Sequence, residues 1–138
     1  MIDPIGTFRH IYQRVNQIFY MVNAILTLTE TGGTVATTVI NTEYDIYINE
    51  TPLGAFSPKK VQIDFSAQTV NEIVIVRLYH RINPTGDKEK KDELAFDGVQ
   101  EPVLKNIELE PNRYGVQVSI ERIAGGSKTY DWCVFYKV

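Results

Sequence analysis

Two histidines, one cysteine and a scatter of carboxylates are the side chains in this 138-residue chain that could do chemistry. His10 and His80 show no His-x-His or His-x-x-x-His spacing, and Cys133 is distant from both, so no zinc-type ligand set is expected. His80 is expected as a hydrogen-bonded residue near a strand end. Cys133 stands between Trp132 and Val134 in strand-like text, where a small buried apolar residue is expected rather than a reactive thiolate. Asp45, Asp64, Glu72 and Asp131 also fall in strand-like text, and a facing pair of them could serve glycoside hydrolysis or hold calcium. No Asp-x-Asp-x-Asp run supports this, and alternation alone explains Asp64. Gly32-Gly33 and Gly125-Gly126 lack the Lys-Ser/Thr and the following helix of a phosphate loop. Both read as hairpin turns, the first alternatively as a flexible joint. The residues therefore predict a non-enzymatic protein with no catalytic residues, no metal and no cofactor.

The elements that would position any site begin from composition. With 43% hydrophobic and 22% charged residues the chain reads as an ordinary soluble globular protein, and its length suits one domain, or one domain with an appendage. A net charge of −3 argues against a partner bound by neutralising phosphates, so no nucleic acid is expected. Residues 1–7 carry no basic region, and no compact apolar run leads to a small-residue cleavage site, so secretory export is not expected. The window from Phe8 to Leu28 could span a bilayer by length, but Arg9, His10, Gln13, Arg14, Asn16, Gln17 and Asn23 within it would each be costly in hydrocarbon. No membrane span is predicted. Asn49-Glu50-Thr51 fits the glycosylation pattern, but Pro52 follows it and a turn is the simpler reading.

Phe8, Ile11, Tyr12, Val15, Ile18, Phe19, Val22, Ile25 and Leu26 fall at the a, d and e positions of three heptads, which predicts an amphipathic N-terminal helix capped at Thr7. Near Ala24 the text turns β-branched and alternating. The apolar stripe is wide for a surface helix. It either covers an open sheet face of its own domain or packs against copies of itself or another protein. Ile18 and Ile25 at d with Val15 and Val22 at a favour more than two helices, so a trimer is expected.

Everything after this segment reads as β. Tyr44, Ile46 and Ile48 share a predicted face; Val61, Ile63 and Phe65 alternate with polar residues; residues 73–78 are apolar at nearly every position, as in a central strand covered on both sides. Asn83-Pro84-Thr85-Gly86-Asp87 is a turn, and the charged run from Lys88 to Glu93 a solvated loop or strand edge. Tyr114, Val116, Val118 and Ile120 line one face of a later strand, and Tyr130, Trp132, Val134 and Tyr136 one face of the last, as core packing rather than stacking platforms. About eight short strands predict a mainly β protein, an antiparallel sandwich of either jelly-roll or immunoglobulin-like order. The expected division is a helical arm and linker over 1–31 and a sandwich domain over 32–138.

The stretches Tyr44 to Phe56, Pro58 to Asp64, Ile75 to Ile82, Pro111 to Val116 and Tyr130 to Trp132 resemble, in style and strand order, small β-sandwich proteins of phages and viruses that decorate or cement a capsid. The resemblance covers about residues 34–138. It implies a non-enzymatic structural protein of the virion, assembled in the host cytoplasm, often trimeric, whose partners are copies of itself and a major capsid or other virion protein. Assembly would then run through Phe8 to Leu26. The alternative expectation is a ligand-binding sandwich, most plausibly for carbohydrate, whose contact residues the sequence does not name.

Overall fold

Period-two alternation dictates the architecture, because each strand with one apolar face must bury it against another sheet. The computed structural model describes residues 30–50, 52, 58–110 and 112–136, and the helix expected at residues 8–26 lies outside the described residues. Eight strands follow in chain order: β1 (Glu30–Ala36), β2 (Glu43–Asn49), β3 (Pro58–Asp64), β4 (Ile73–Arg81), β5 (Lys88–Asp97), β6 (Leu104–Glu108), β7 (Val116–Ala124) and β8 (Thr129–Tyr136). They form two four-stranded sheets, ordered β1-β8-β3-β6 and β2-β7-β4-β5, and every pairing is antiparallel.

The inward faces of the two sheets share one apolar cluster. The first sheet contributes Val35, Val61, Ile63, Ile107, Tyr130 and Val134, and the second contributes Ile46, Tyr47, Val74, Val76, Leu78, Val118 and Ile120. Full burial of such an aliphatic side chain stabilises by about 1.5–3 kcal/mol, so this cluster is the main term holding the sheets together. Phe65 fills the space beside it, with its ring stacked on Phe96 at 4.5 Å and edge-on to Tyr130 at 5.5 Å. The expected faces of β3, β7 and β8 are those observed, and Trp132 and Tyr136 pack partly buried against the same cluster.

Several expectations are corrected. Gly32 and Gly33 lie inside β1, paired with Cys133 and Trp132, rather than in a hairpin or joint. Gly125-Gly126 connects β7 to β8, which belong to different sheets, so it is a crossing and not a hairpin. Only β4 and β5 are consecutive in chain and adjacent in one sheet, joined through the Asn83 turn, where Asn83 Oδ1 accepts from the Thr85 amide at 3.0 Å. A bulge at Ile46 shifts the β2 register, turning Tyr47 inward and leaving Ile48 exposed. Strand β4 is central, but its second face is half-buried rather than covered, and carries Ile75, Arg77 and Tyr79.

His80 takes an inward position after Val74, Val76 and Leu78, and is 8% exposed. The expectation of a hydrogen-bonded histidine fails at Nε2, which has no partner among the described residues. Burial, and then the Lys91 ammonium, hold the imidazole below its ordinary 6.5, with Glu110 acting in the opposite sense. As pH falls below 6.5 the unfolded chain therefore binds a proton before the folded one, and stability declines towards the depressed native value. Urea unfolding at stepped pH should show this loss, and His80→Phe should flatten it; an unchanged slope in the variant would assign the loss to other groups.

Candidate functional site

Three surfaces compete for function. The outer face of the second sheet is a polar ladder centred on Arg77, which bonds Glu93 at 2.9 Å and Glu121 at 3.2 Å and lies 3.7 Å from Glu43. Glu43 also accepts from Tyr79 Oη at 2.5 Å and from Ser119 Oγ, and Asp45 from Gln117 at 2.6 Å. Burial alone would raise the Glu43 carboxyl, but these hydroxyls and Arg77 outweigh it and hold it below its usual range. With its charges matched to one another, the face reads as cross-strand pairing rather than as reactive chemistry.

On the outer face of the first sheet, Asp64 and Asp131 are direct cross-strand partners. With Gln62, Leu104, Trp132 and Cys133 they line a shallow depression of about 210 Å³. The structure thus brings together two of the carboxylates that the sequence singled out. Asp45 is on the opposite sheet, and Glu72 lies in a connection just before β4 rather than in a strand. Cys133 is half-buried here, with Sγ 4.0 Å from Gln62 Oε1, and not a buried core residue. Among the described residues no group of three or more His, Cys, Asp or Glu is placed to hold a metal ion.

The third surface is one end of the molecule, where the connections 37–42, 65–72, 98–103 and 125–128 meet. These segments carry only three charged residues, and two of them, Glu72 and Lys128, pair at 3.3 Å, leaving Glu101 alone. In their place the connections display Val39 (55% exposed), Ile40, Val70 (67%), Val99 (63%) and Val103, five of the eight exposed large apolar side chains among the described residues. Grouped apolar exposure of this kind marks interaction surfaces, whereas single exposed aliphatics are ordinary.

Buried polar side chains fix this end. Arg122, 9% exposed, donates from Nε to Thr37 O at 2.9 Å, from Nη2 to Thr38 O at 3.0 Å, and from Nη1 to Gly125 O. One guanidinium thus satisfies carbonyls from two connections. Gln68 Nε2 donates to Phe96 O at 2.8 Å and Gly98 O at 2.9 Å, tying the β3–β4 connection to the β5–β6 one. Tyr44 Oη accepts the Val39 amide at 2.9 Å. Glu72 accepts from the Thr69 amide at 2.9 Å and its hydroxyl at 2.8 Å; burial would raise its carboxyl, but these bonds and Lys128 outweigh burial and hold it below 4.5. Tyr130, whose hydroxyl lies 3.4 Å from Gln68 Oε1, is pushed up to about 12 by burial and then by Glu72.

The residues expected to mediate assembly, Phe8, Ile11, Tyr12, Val15, Ile18, Phe19, Val22, Ile25 and Leu26, lie outside the described residues. Sequence reasoning missed the apolar end and its ties. The available signals were β-branched residues in turn segments without charge, and Arg122 at an inward position of the series Val116, Val118, Ile120. In comparisons with known proteins, no family model and no curated protein matches the chain.

Gly125 has φ +84°, and a Cβ there would run into the Glu72 side chain; Gly98 has φ +69° with open space around it. Gly98→Ala should cost about 1–2 kcal/mol from the left-handed backbone alone. Gly125→Ala should cost about 1–3 kcal/mol more, because it also displaces Glu72. Equal losses in denaturant unfolding would show that Glu72 is not held as described.

Proposed function

We propose that this protein is a non-enzymatic structural component of a virion, built as a jelly-roll sandwich that works by contact rather than by chemistry. The observation that carries the reading is the charge-poor apolar end with its four connections locked from beneath by Arg122, Gln68, Glu72 and Tyr44. A surface held rigid before binding loses little freedom on docking, which suits permanent attachment to a neighbouring subunit. The strand orders β1-β8-β3-β6 and β2-β7-β4-β5 support the jelly roll over the immunoglobulin-like alternative, because two interlocked Greek keys keep nearly all chain neighbours in different sheets. Viral capsid domains and lectins both use that architecture, so the fold alone does not choose between them. In this reading residues 8–26 form the helical arm that assembles copies of the chain, as a trimer, and the apolar end meets a different virion protein.

Light scattering on the full chain over a range of concentrations tests the assembly. At the lowest concentrations the expected mass is three times that of the chain, and an Ile18→Asp/Ile25→Asp variant whose circular dichroism keeps its β signal loses that factor of three. A wild-type chain that stays monomeric throughout sinks the assembly through residues 8–26.

The depression lined by Asp64, Asp131 and Gln62 favours a second reading, carbohydrate binding, because two carboxylates and an amide side by side match the hydroxyls of a sugar ring. A glycan array probed with the full chain should then give hits that Asp131→Asn weakens at least tenfold. No hits, or hits indifferent to Asp131, would remove this reading.

A further inference from the structure

Each sheet ends in two edge strands, and three of the four edges are protected against pairing with another strand. Strand β5 carries the unbroken charged run Lys88 to Glu93 and a register shift opposite Leu78/Tyr79. Strand β6 is five residues long, and its Lys105 stands opposite the fully buried Ile63, so a lysine occupies an inward position at the edge of a 370 Å³ cleft floored by Leu94, Phe96 and Ile107. Strand β2 has the bulge at Ile46 and bears Glu43 and Asp45. Charge, bulges, shortness and inward lysines are the devices that keep edges from associating.

Strand β1 has none of them. After Glu30 it reads Thr-Gly-Gly-Thr-Val-Ala, without charge or proline, and its register with β8 is regular through all seven residues. No strand among the described residues pairs with its other side, and Gly32, Gly33, Thr34 and Ala36 are exposed. An open row of backbone donors and acceptors is a template for a further strand.

We infer that β1 is an association edge that pairs antiparallel with β1 of a second copy, joining the two first sheets into one eight-stranded sheet across a twofold axis. The strand is complementary to itself. Centred on Gly33, the pairing keeps inward residues opposite inward ones, setting Thr31 against Val35, and outward opposite outward, setting Gly32 against Thr34. Residues 31–36 carry no charge, so this stretch pairs without repulsion although each copy carries a net charge of −3. The two Gly33 residues meet at the axis, and each is covered by its own Trp132, whose Cζ2 lies 3.3 Å from where a Cβ would stand. The indoles thus extend the apolar layer to the seam, where a bulkier residue at 33 would displace them. An isologous contact of this kind closes on itself and does not propagate into a filament. The inference goes beyond the assembly proposed for residues 8–26 and stands without it.

The test uses the full chain. Amide hydrogen exchange over residues 31–36 should slow as concentration rises, while the mass by light scattering doubles. Thr31→Lys/Thr34→Lys, which places on β1 the devices seen on β5 and β6, should abolish both effects while melting at the temperature of the dilute wild type, since association itself raises the melting temperature; Thr34 faces Asp131 across the ladder, so a lysine there has an acid to pair with. If exchange at β1 is independent of concentration in the wild type, or the doubling persists in a folded lysine variant, the inference is overturned. Loss of association in Ile18→Asp/Ile25→Asp but not in the lysine variant would reject the β1 edge and leave the helical arm standing, and the converse would reject the arm alone.

Discussion

A chain that changes sheet at six of its seven connections leaves most of its turning backbone without a ladder partner, and the structure depends on how those groups are satisfied. A hairpin meets its own amides and carbonyls across two or three residues; a crossing does not. At the apolar end the work falls to side chains, some rooted in the strands below and one, Gln68, in a connection itself. Arg122 reaches from β7 to three carbonyls, Gln68 spans two connections, and Tyr44 reaches from β2 to the Val39 amide. At the other end Asn112 does the same, accepting the Tyr114 and Gly115 amides at 2.8 and 2.9 Å and donating to Arg81 O at 3.0 Å. Removing Arg122 or Gln68 would leave not one but several carbonyls without their donor, each costing about 1–3 kcal/mol where it stays buried and unpaired.

This constraint explains which parts of the fold could be read from the sequence. Val61, Ile63 and Phe65, or Val116, Val118 and Ile120, announce a buried face because a strand has a period of two, and burial follows. Alternation says which way a side chain points but not which strand lies beside it, so Gly125-Gly126 looked like a hairpin although its flanking strands are in different sheets. Gly32-Gly33 looked like a break for a similar reason. Glycine disfavours a strand interior on average, yet here the Trp132 indole covers the place where side chains are missing. The bulge at Ile46 inverted the parity of β2 from Tyr47 onward, and no local residue preference marks that position.

The site was legible in a different sense. Arg122, His80 and Lys105 each occupy an inward position in an otherwise apolar series, a pattern that plain amphipathicity does not produce. Each has its own reason in the structure: Arg122 ties the connections, Lys105 guards an edge, and His80 lies within the fields of Lys91 and Glu110. Inward polar residues were thus a better guide to the special features of this molecule than its carboxylates, of which Glu43, Asp45, Glu93 and Glu121 are matched to neighbours on an outer sheet face.

Surface character follows from the same division of labour. The outer sheet faces and the guarded edges keep their polar groups paired or charged, which discourages casual association. The apolar end and the β1 edge do the reverse, leaving aliphatic side chains and backbone groups available, and both are held firmly from within. Rigidity without protection is a poor arrangement for a solitary domain, since exposed aliphatics gain nothing in water and open edges invite aggregation. It is a sensible one for a part whose working state is assembled, because contacts prearranged in the isolated chain lose little freedom when neighbours close over them. The open edge and the apolar end adjoin, since β1 runs directly into the 37–42 connection that carries Val39 and Ile40; in the reading proposed above, neighbours seated on the two would therefore meet each other as well as this chain.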